Sequence, residues 1–361
     1  MTDHDRPASL RSAAALIDRG DLSGAESVLE PLLLRSPEDA LALNLMGVVR
    51  LRQGHSDAAE KLLRHAVEIK PQLAGPHLNL ALLYGPERAS SAIAQLRETL
   101  KLTPTDQAAQ GALRLIAQKA ALASVRAGDK QHAVSVMLEA RAILPHDPEL
   151  LYQFGLVAME AGLYTDARKA EEEALRFSPG YAEAIYALGR AWLGEGNGQQ
   201  AEDQFRKYLV LQPNDATAQY GLGYVLVSEQ KLAEARLAFE RSLALQPNQT
   251  ESLFQLGVIA LREANPDSAR DWFTKVLAQD PQHAGALTEI AIFSFRDHLY
   301  QQAADGLERA IRSSPAYQKA HYHLALALAK LGRKEESERE FSVAMELKKA
   351  PVSALLTASP Q

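Results

Sequence analysis

The chain has 361 residues, 47% of them hydrophobic, and its 45 acidic and 39 basic side chains give a net charge of −6. This balance, without a run of Lys or Arg, argues against nucleic acid as the main partner, because phosphate binding needs a concentrated positive surface. The chain contains no cysteine, which excludes disulfides and thiolate metal sites.

The N-terminal twenty residues carry acidic side chains where a signal peptide needs basic ones, and they lack its apolar region. No stretch along the chain approaches the ~20 apolar residues that a membrane span requires. We therefore expect a cytoplasmic protein without a membrane span.

A 34-residue period runs through most of the chain and is clearest in residues 182–215. When the closing proline of each repeat is numbered 32, ten repeats begin near residues 6, 40, 74, 114, 148, 182, 216, 250, 284 and 318. Position 8 is Gly or Ala throughout, and position 20 is Ala in nine repeats. Small residues at fixed places allow two helices to cross closely, so the period predicts a solenoid of stacked helix pairs.

Two positions depart from this pattern and carry expectations of their own. A glycine at position 15 is typical of a left-handed turn between the two helices, but three successive repeats have Gln230, Ala264 and His298 there, which predicts turns built differently. Position 24 is apolar in every repeat except one, where Glu171 stands, and we expect that helix to pack less well.

The fourth repeat is seven residues longer than the others. Its run from Asp106 to Gly128 contains no proline and predicts one uninterrupted, overlong first helix. We therefore divide the chain into an N-terminal array of three repeats, an irregular repeat, a regular C-terminal array of six repeats, and a tail: residues 1–105, 106–147, 148–349 and 350–361.

The pattern of small residues at positions 8 and 20, with an aromatic at 24 and proline at 32, resembles the tetratricopeptide repeat family. The resemblance covers roughly residues 6–349 and implies an all-α, right-handed superhelical solenoid of about ten helix-turn-helix repeats. It also implies that the first helices line the concave groove, where members of the family bind partners.

Positions 2, 5, 9 and 12 of the first helix form a stripe about 100° from the core positions. In repeats five to ten this stripe is aromatic and aliphatic, which indicates a partner-binding groove. Its candidate residues are Tyr152, Leu156, Tyr186, Arg190, Tyr220, Tyr224, Phe254, Val258, Ile292 and Tyr322. The same aromatic column also fits packing between neighbouring repeats, and both interpretations stay open.

The sequence favours a non-catalytic scaffold that binds an apolar segment of a protein or peptide. Alternatives are a substrate-recruiting or regulatory module for a separate enzyme, and a structural element that self-associates through its N-terminal repeats or Val352–Leu356. His321 and His323 are two residues apart and so lie on different faces of a helix. No catalytic motif is present, and we predict no enzymatic activity, no cofactor and no metal site.

Overall fold

The computed structural model describes residues 6–349 and contains only helices and turns in that range. The predicted tail at 350–361 lies outside the described residues. The α-helices of the described range are α1 (Arg6–Asp18), α2 (Leu22–Arg35), α3 (Ala40–Arg52), α4 (Ser56–Ile69), α5 (Ala74–Tyr84), α6 (Ala89–Leu102), α7 (Gln107–Arg126), α8 (Lys130–Arg141), α9 (Pro148–Glu160), α10 (Tyr164–Phe177), α11 (Ala182–Gly194), α12 (Gly198–Leu211), α13 (Ala216–Ser228), α14 (Leu232–Leu245), α15 (Thr250–Arg262), α16 (Pro266–Gln279), α17 (Ala284–Arg296), α18 (Tyr300–Ser313), α19 (Gln318–Lys330) and α20 (Lys334–Lys349).

These helices form ten repeats, each with an odd-numbered helix A and an even-numbered helix B. The chain divides into two compact units between Ala184 and Ile185. Within each unit, helix B of one repeat packs on helix A of the next, as α4 does on α5 and α14 on α15. The predicted all-α solenoid is confirmed.

The small residues of the repeat lie where the two helices of a pair meet. All nine alanines at position 20 are completely buried, Ala235 and Ala269 among them. The glycine at position 8 lies under the side chain at position 24, so that a β-carbon on Gly257 would fall 2.5 Å from the ring of Phe273. This close approach lets the ring fill the space between the helices at the density of a protein interior.

The overlong helix of the fourth repeat is confirmed as α7, which has 20 residues. The Asp106 side chain caps it by accepting hydrogen bonds from the N–H groups of Ala108 and Ala109. That α7 separates two arrays stays a prediction, because the two compact units divide between Ala184 and Ile185, well beyond this helix.

The prediction that three turns are built differently is wrong. Gln230, Ala264 and His298 have φ angles of 61°, 57° and 62°, in the same left-handed region as the glycines of the other repeats. The hydrogen bonds agree too: the Gln230 N–H donates to the Val227 carbonyl as that of Gly196 does to Leu193. Packing of the two helices sets the turn and overrides the preference of the residue in it.

Candidate partner-binding surface

The ten candidate residues lie on six A helices, at positions 5 and 9 of their repeats, and we call this set the A-helix stripe. It falls into two parts, because α9 belongs to the first compact unit and Tyr186 onwards to the second. The stripe consists of Tyr152 and Leu156 on α9, Tyr186 and Arg190 on α11, Tyr220 and Tyr224 on α13, Phe254 and Val258 on α15, Ile292 on α17, and Tyr322 on α19.

In the second unit, the aromatic side chains at position 5 pack on the phenylalanine at position 24 of the same repeat. Ring centroids are 5.4 to 5.8 Å apart in three tilted or edge-on pairs, Tyr186–Phe205, Tyr220–Phe239 and Phe254–Phe273. Each of the three position-5 rings is half-buried. Burial raises the pKa of the Tyr186 hydroxyl and raises that of Tyr220 to about 12. This column therefore holds each repeat together and presents only its edges to solvent.

Three other members of the stripe are exposed. Arg190 is exposed on α11, and Tyr224 keeps 45% of its surface in contact with solvent, with its ring centroid 6.4 Å from that of Tyr220. Tyr322 is 38% exposed, although its ring centroid is 6.1 Å from that of Phe341 at position 24 of its repeat. Val258, at position 9 of the repeat that follows Tyr224, is half-buried. These residues form the part of the stripe that a partner can reach.

The stripe is interrupted on α17. Thr288 is completely buried, and its hydroxyl donates to the Ala284 carbonyl at 2.8 Å. Ile292, a candidate residue, is only 8% exposed and offers little surface to a partner.

The part of the stripe in the first unit is packed differently. Tyr152 lies against Tyr181, with ring centroids 5.3 Å apart, and Leu156 is half-buried. Position 24 of this repeat is Glu171, where the repeats of Tyr186, Tyr220 and Phe254 have phenylalanine.

Glu171, whose helix was expected to pack less well, is completely buried. Its carboxyl group lacks hydrogen bonds within the described range. Among residues 6–349, no group forms a hydrogen bond to either of its oxygens. Burial raises the pKa of this carboxyl to about 9, so it is protonated at neutral pH.

Sequence reasoning missed two features near the stripe. At position 13, the last turn of α15, α17 and α19 carries an exposed base in three successive repeats, and we call Arg262, Arg296 and Lys330 the basic edge. Their 34-residue spacing was the signal that could have revealed them.

The second missed feature is His283, which supports the Phe254 ring. The two ring centroids are 4.9 Å apart, and the His283 Nδ1 accepts a hydrogen bond from the Ala286 N–H at 3.1 Å. The other ring nitrogen is 3.3 Å from Glu251, and this hydrogen bond lowers the pKa of the Glu251 carboxyl. His283 stands where other repeats have a capping aspartate such as Asp215, so its position in the repeat was the available signal.

The described histidines do not come together with acids as a metal site. In residues 6–349, no cluster of three His, Asp or Glu side chains could hold a metal ion. His321 is buried between Glu340 and the Pro315 carbonyl, whereas His323 is half-buried elsewhere on α19. Among the described helices, none combines the length and the apolar character that crossing a membrane requires.

Comparisons with known proteins agree with this architecture. The model of the tetratricopeptide repeat family matches more than half of the chain, at residues 10–74, 119–182, 186–250, 220–284 and 295–351. No match to this chain was found among curated proteins.

The chain matches several solved structures. A tetratricopeptide repeat protein from Parabacteroides merdae ATCC 43184 is 15% identical, with a TM-score of 0.51, over 71% of this chain and 98% of that one. The Cut9–Hcn1 hetero-tetramer of APC/C is 15% identical, with a TM-score of 0.50, over 98% and 83%. MamA from Desulfovibrio magneticus RS-1 is 24% identical, with a TM-score of 0.44, over 48% of this chain and 97% of MamA.

Proposed function

This chain belongs to the tetratricopeptide repeat family, and we propose that it is a non-catalytic scaffold that binds a protein segment along the A-helix stripe of its second compact unit. The observation that carries this proposal is the exposure of Tyr224 and Tyr322, at 45% and 38%, on helices that are otherwise tightly packed. Large aromatic side chains left open to solvent in one stripe are typical of binding surfaces.

The arrangement of the stripe suits an apolar segment. The half-buried rings at position 5 are fixed by their contact with position 24, as Tyr220 is by Phe239, so the surface is preorganised and loses little entropy when a partner binds. Tyr224 adds a hydroxyl that can bond a peptide group of the partner, and Val258 and Leu326 are half-buried apolar side chains at position 9 of later repeats. A bound segment therefore places apolar side chains on the stripe and peptide groups beside the tyrosine.

The test compares two double variants in a pull-down read by mass spectrometry. Tyr224→Ser with Tyr322→Ser removes the exposed aromatics of the stripe. The matched control, Val210→Ser with Leu237→Ser, removes side chains that are 81% and 55% exposed on B helices of the same unit.

We expect the stripe variant to lose partners that the wild type and the control both retain, while all three proteins give the same helical circular dichroism. Partners retained by the stripe variant, or lost equally from the control, would overturn the proposal.

A further inference from the structure

The basic edge follows the A-helix stripe by one helical turn. Arg262 comes four residues after Val258, and Arg296 four residues after Ile292, so each pair shares a side of its helix. Residues in the same place in the two preceding repeats, Gly194 and Ser228, are exposed but uncharged. In the second unit, positive charge at position 13 is therefore confined to the last three repeats, whereas Arg52 and Arg126 hold this position in the first unit.

The bases of this edge have no acidic partner in residues 6–349. The acids that directly follow two of them are engaged elsewhere, since Glu263 pairs with Arg236, and Asp297 is 2.9 Å from Arg270. Arg262 donates one hydrogen bond, at 3.3 Å, to the Val227 carbonyl. The charges of the edge are consequently available to a ligand.

The charge of Arg296 acts on a side chain of the following repeat. The pKa of the His323 imidazole, on α19, is lowered to about 4 by burial and also by the positive charges of Lys319 and Arg296. Arg296 is on α17, so its guanidinium lies near enough to α19 to act on a side chain there.

A base in the last turn is favoured by the helix dipole, which accounts in part for the residue type. Gly194 and Ser228 show that the repeat forms without a base at this position. The helix dipole gives no reason for three successive bases to be left without acidic partners.

We propose that the basic edge binds an acidic segment of a protein partner, whose carboxylates lie against Arg262, Arg296 and Lys330 while its apolar side chains occupy the stripe. This inference rests on the proposed function and adds the chemical class of the partner. The bases recur once in each repeat, so the segment runs across the A helices and meets one base in each of the three repeats.

The test uses three fluorescent 12-residue peptides that carry the same leucines with Glu, Gln or Lys between them. A 12-nucleotide oligothymidylate is the nucleic-acid probe. We expect the Glu peptide to bind the full chain tightest, with an affinity that falls as salt is added. Arg262→Gln, Arg296→Gln and Lys330→Gln together should weaken it by roughly tenfold, as expected for the loss of three exposed ion pairs.

A control triple variant, Lys207→Gln, Arg241→Gln and Arg339→Gln, removes exposed bases from B helices of the same unit and should leave the affinity unchanged. If the Glu and Gln peptides bind equally, and both lose binding to the Tyr224→Ser, Tyr322→Ser variant, the proposal of an acidic segment is overturned. The proposal that the stripe binds a partner then still stands. Oligothymidylate binding as tight as that of the Glu peptide would overturn the acidic protein segment. No binding of any peptide, together with an empty pull-down, would overturn the proposed function as well.

Discussion

Glu171 lies directly over Gly155, so that a β-carbon built on residue 155 would fall 2.0 Å from the Glu171 Oε1. In three repeats of the second unit, a phenylalanine ring lies over the equivalent glycine, as Phe273 does over Gly257. A carboxyl group has therefore taken the place of a ring in a close-packed interior. Its oxygens lack hydrogen-bond partners in the described range, and burial raises its pKa to about 9.

This carboxyl makes stability depend on pH. Below pH 4.5 it is protonated in both the folded and the unfolded chain, and it adds no pH dependence. Between pH 4.5 and about 9 only the unfolded chain releases the proton, so the free energy of unfolding falls as pH rises, by about 1.4 kcal/mol per pH unit. Urea unfolding from pH 5 to pH 8, followed by circular dichroism, measures this slope.

Glu171→Gln is the control for that measurement, because an amide of the same shape does not ionise. The difference in stability between the variant and the wild type should grow steadily in favour of the variant from pH 5 to pH 8. If the two proteins show parallel pH dependence, Glu171 is not buried in its neutral form.

Replacing Glu171 with leucine should stabilise the first compact unit. The substitution removes the cost of keeping the carboxyl protonated, about 3 kcal/mol at pH 7, and supplies apolar contacts over Gly155. Chemical unfolding at pH 7 should show a higher midpoint than for the wild type. Glu240→Leu, an exposed substitution on α14, is the matched control and should change stability by no more than about 0.5 kcal/mol.

The fold could be predicted from the sequence because the period places each residue type in one role. Ala235 at position 20 and Phe239 at position 24 identify the helix crossing, and both are completely buried. The turn at Gln230 could not be predicted, because its left-handed conformation comes from the packing of two helices and is contrary to the preference of the residue itself.

The sequence predicts towards which side of each A helix the side chains of the stripe point, but not how far each is exposed to solvent. Tyr220 and Tyr224 are one turn apart on α13 and belong to the same predicted stripe. A helical wheel gives the direction of a side chain but not what the paired helix covers, and only the structure shows that Tyr220 packs on Phe239. Arg262, Arg296 and Lys330 recur with the 34-residue period, but this spacing does not show that they lack acidic partners in residues 6–349.

The left-handed turns offer a test of backbone strain. Ala264 has a φ of 57°, which costs a residue with a β-carbon about 1–2 kcal/mol, whereas glycine adopts it freely. Ala264→Gly should therefore stabilise the second unit by about 0.5–1 kcal/mol, after the greater entropy of glycine in the unfolded chain is subtracted. The reverse change, Gly196→Ala at φ 80°, should destabilise by a similar amount, and equal midpoints in urea for both variants would contradict this account.

The same substitution should lower stability at Tyr220 but weaken partner binding at Tyr224. Tyr220→Ser removes a half-buried ring that packs on Phe239, and it should lower the free energy of unfolding by about 2–4 kcal/mol. Tyr224→Ser removes a ring that is largely exposed, so it should leave stability within about 1 kcal/mol while weakening the binding of the Glu peptide. Thermal unfolding and fluorescence anisotropy separate the two effects. A stable Tyr220→Ser protein would show that position 5 contributes little to packing.

Replacing either of two helical glycines with alanine should change the stability of the protein, but in opposite directions. At Gly111, in α7, a β-carbon would meet nothing within 4 Å apart from its chain neighbours and the backbone of its own helix, so alanine adds helix propensity without a clash and should stabilise by about 0.5–1 kcal/mol. At Gly257 the β-carbon would meet the Phe273 ring at 2.5 Å, and the ring is completely buried and cannot move away freely. Gly257→Ala should therefore destabilise by about 1–3 kcal/mol in urea unfolding, and equal gains at both positions would show that the ring does not press on the helix crossing.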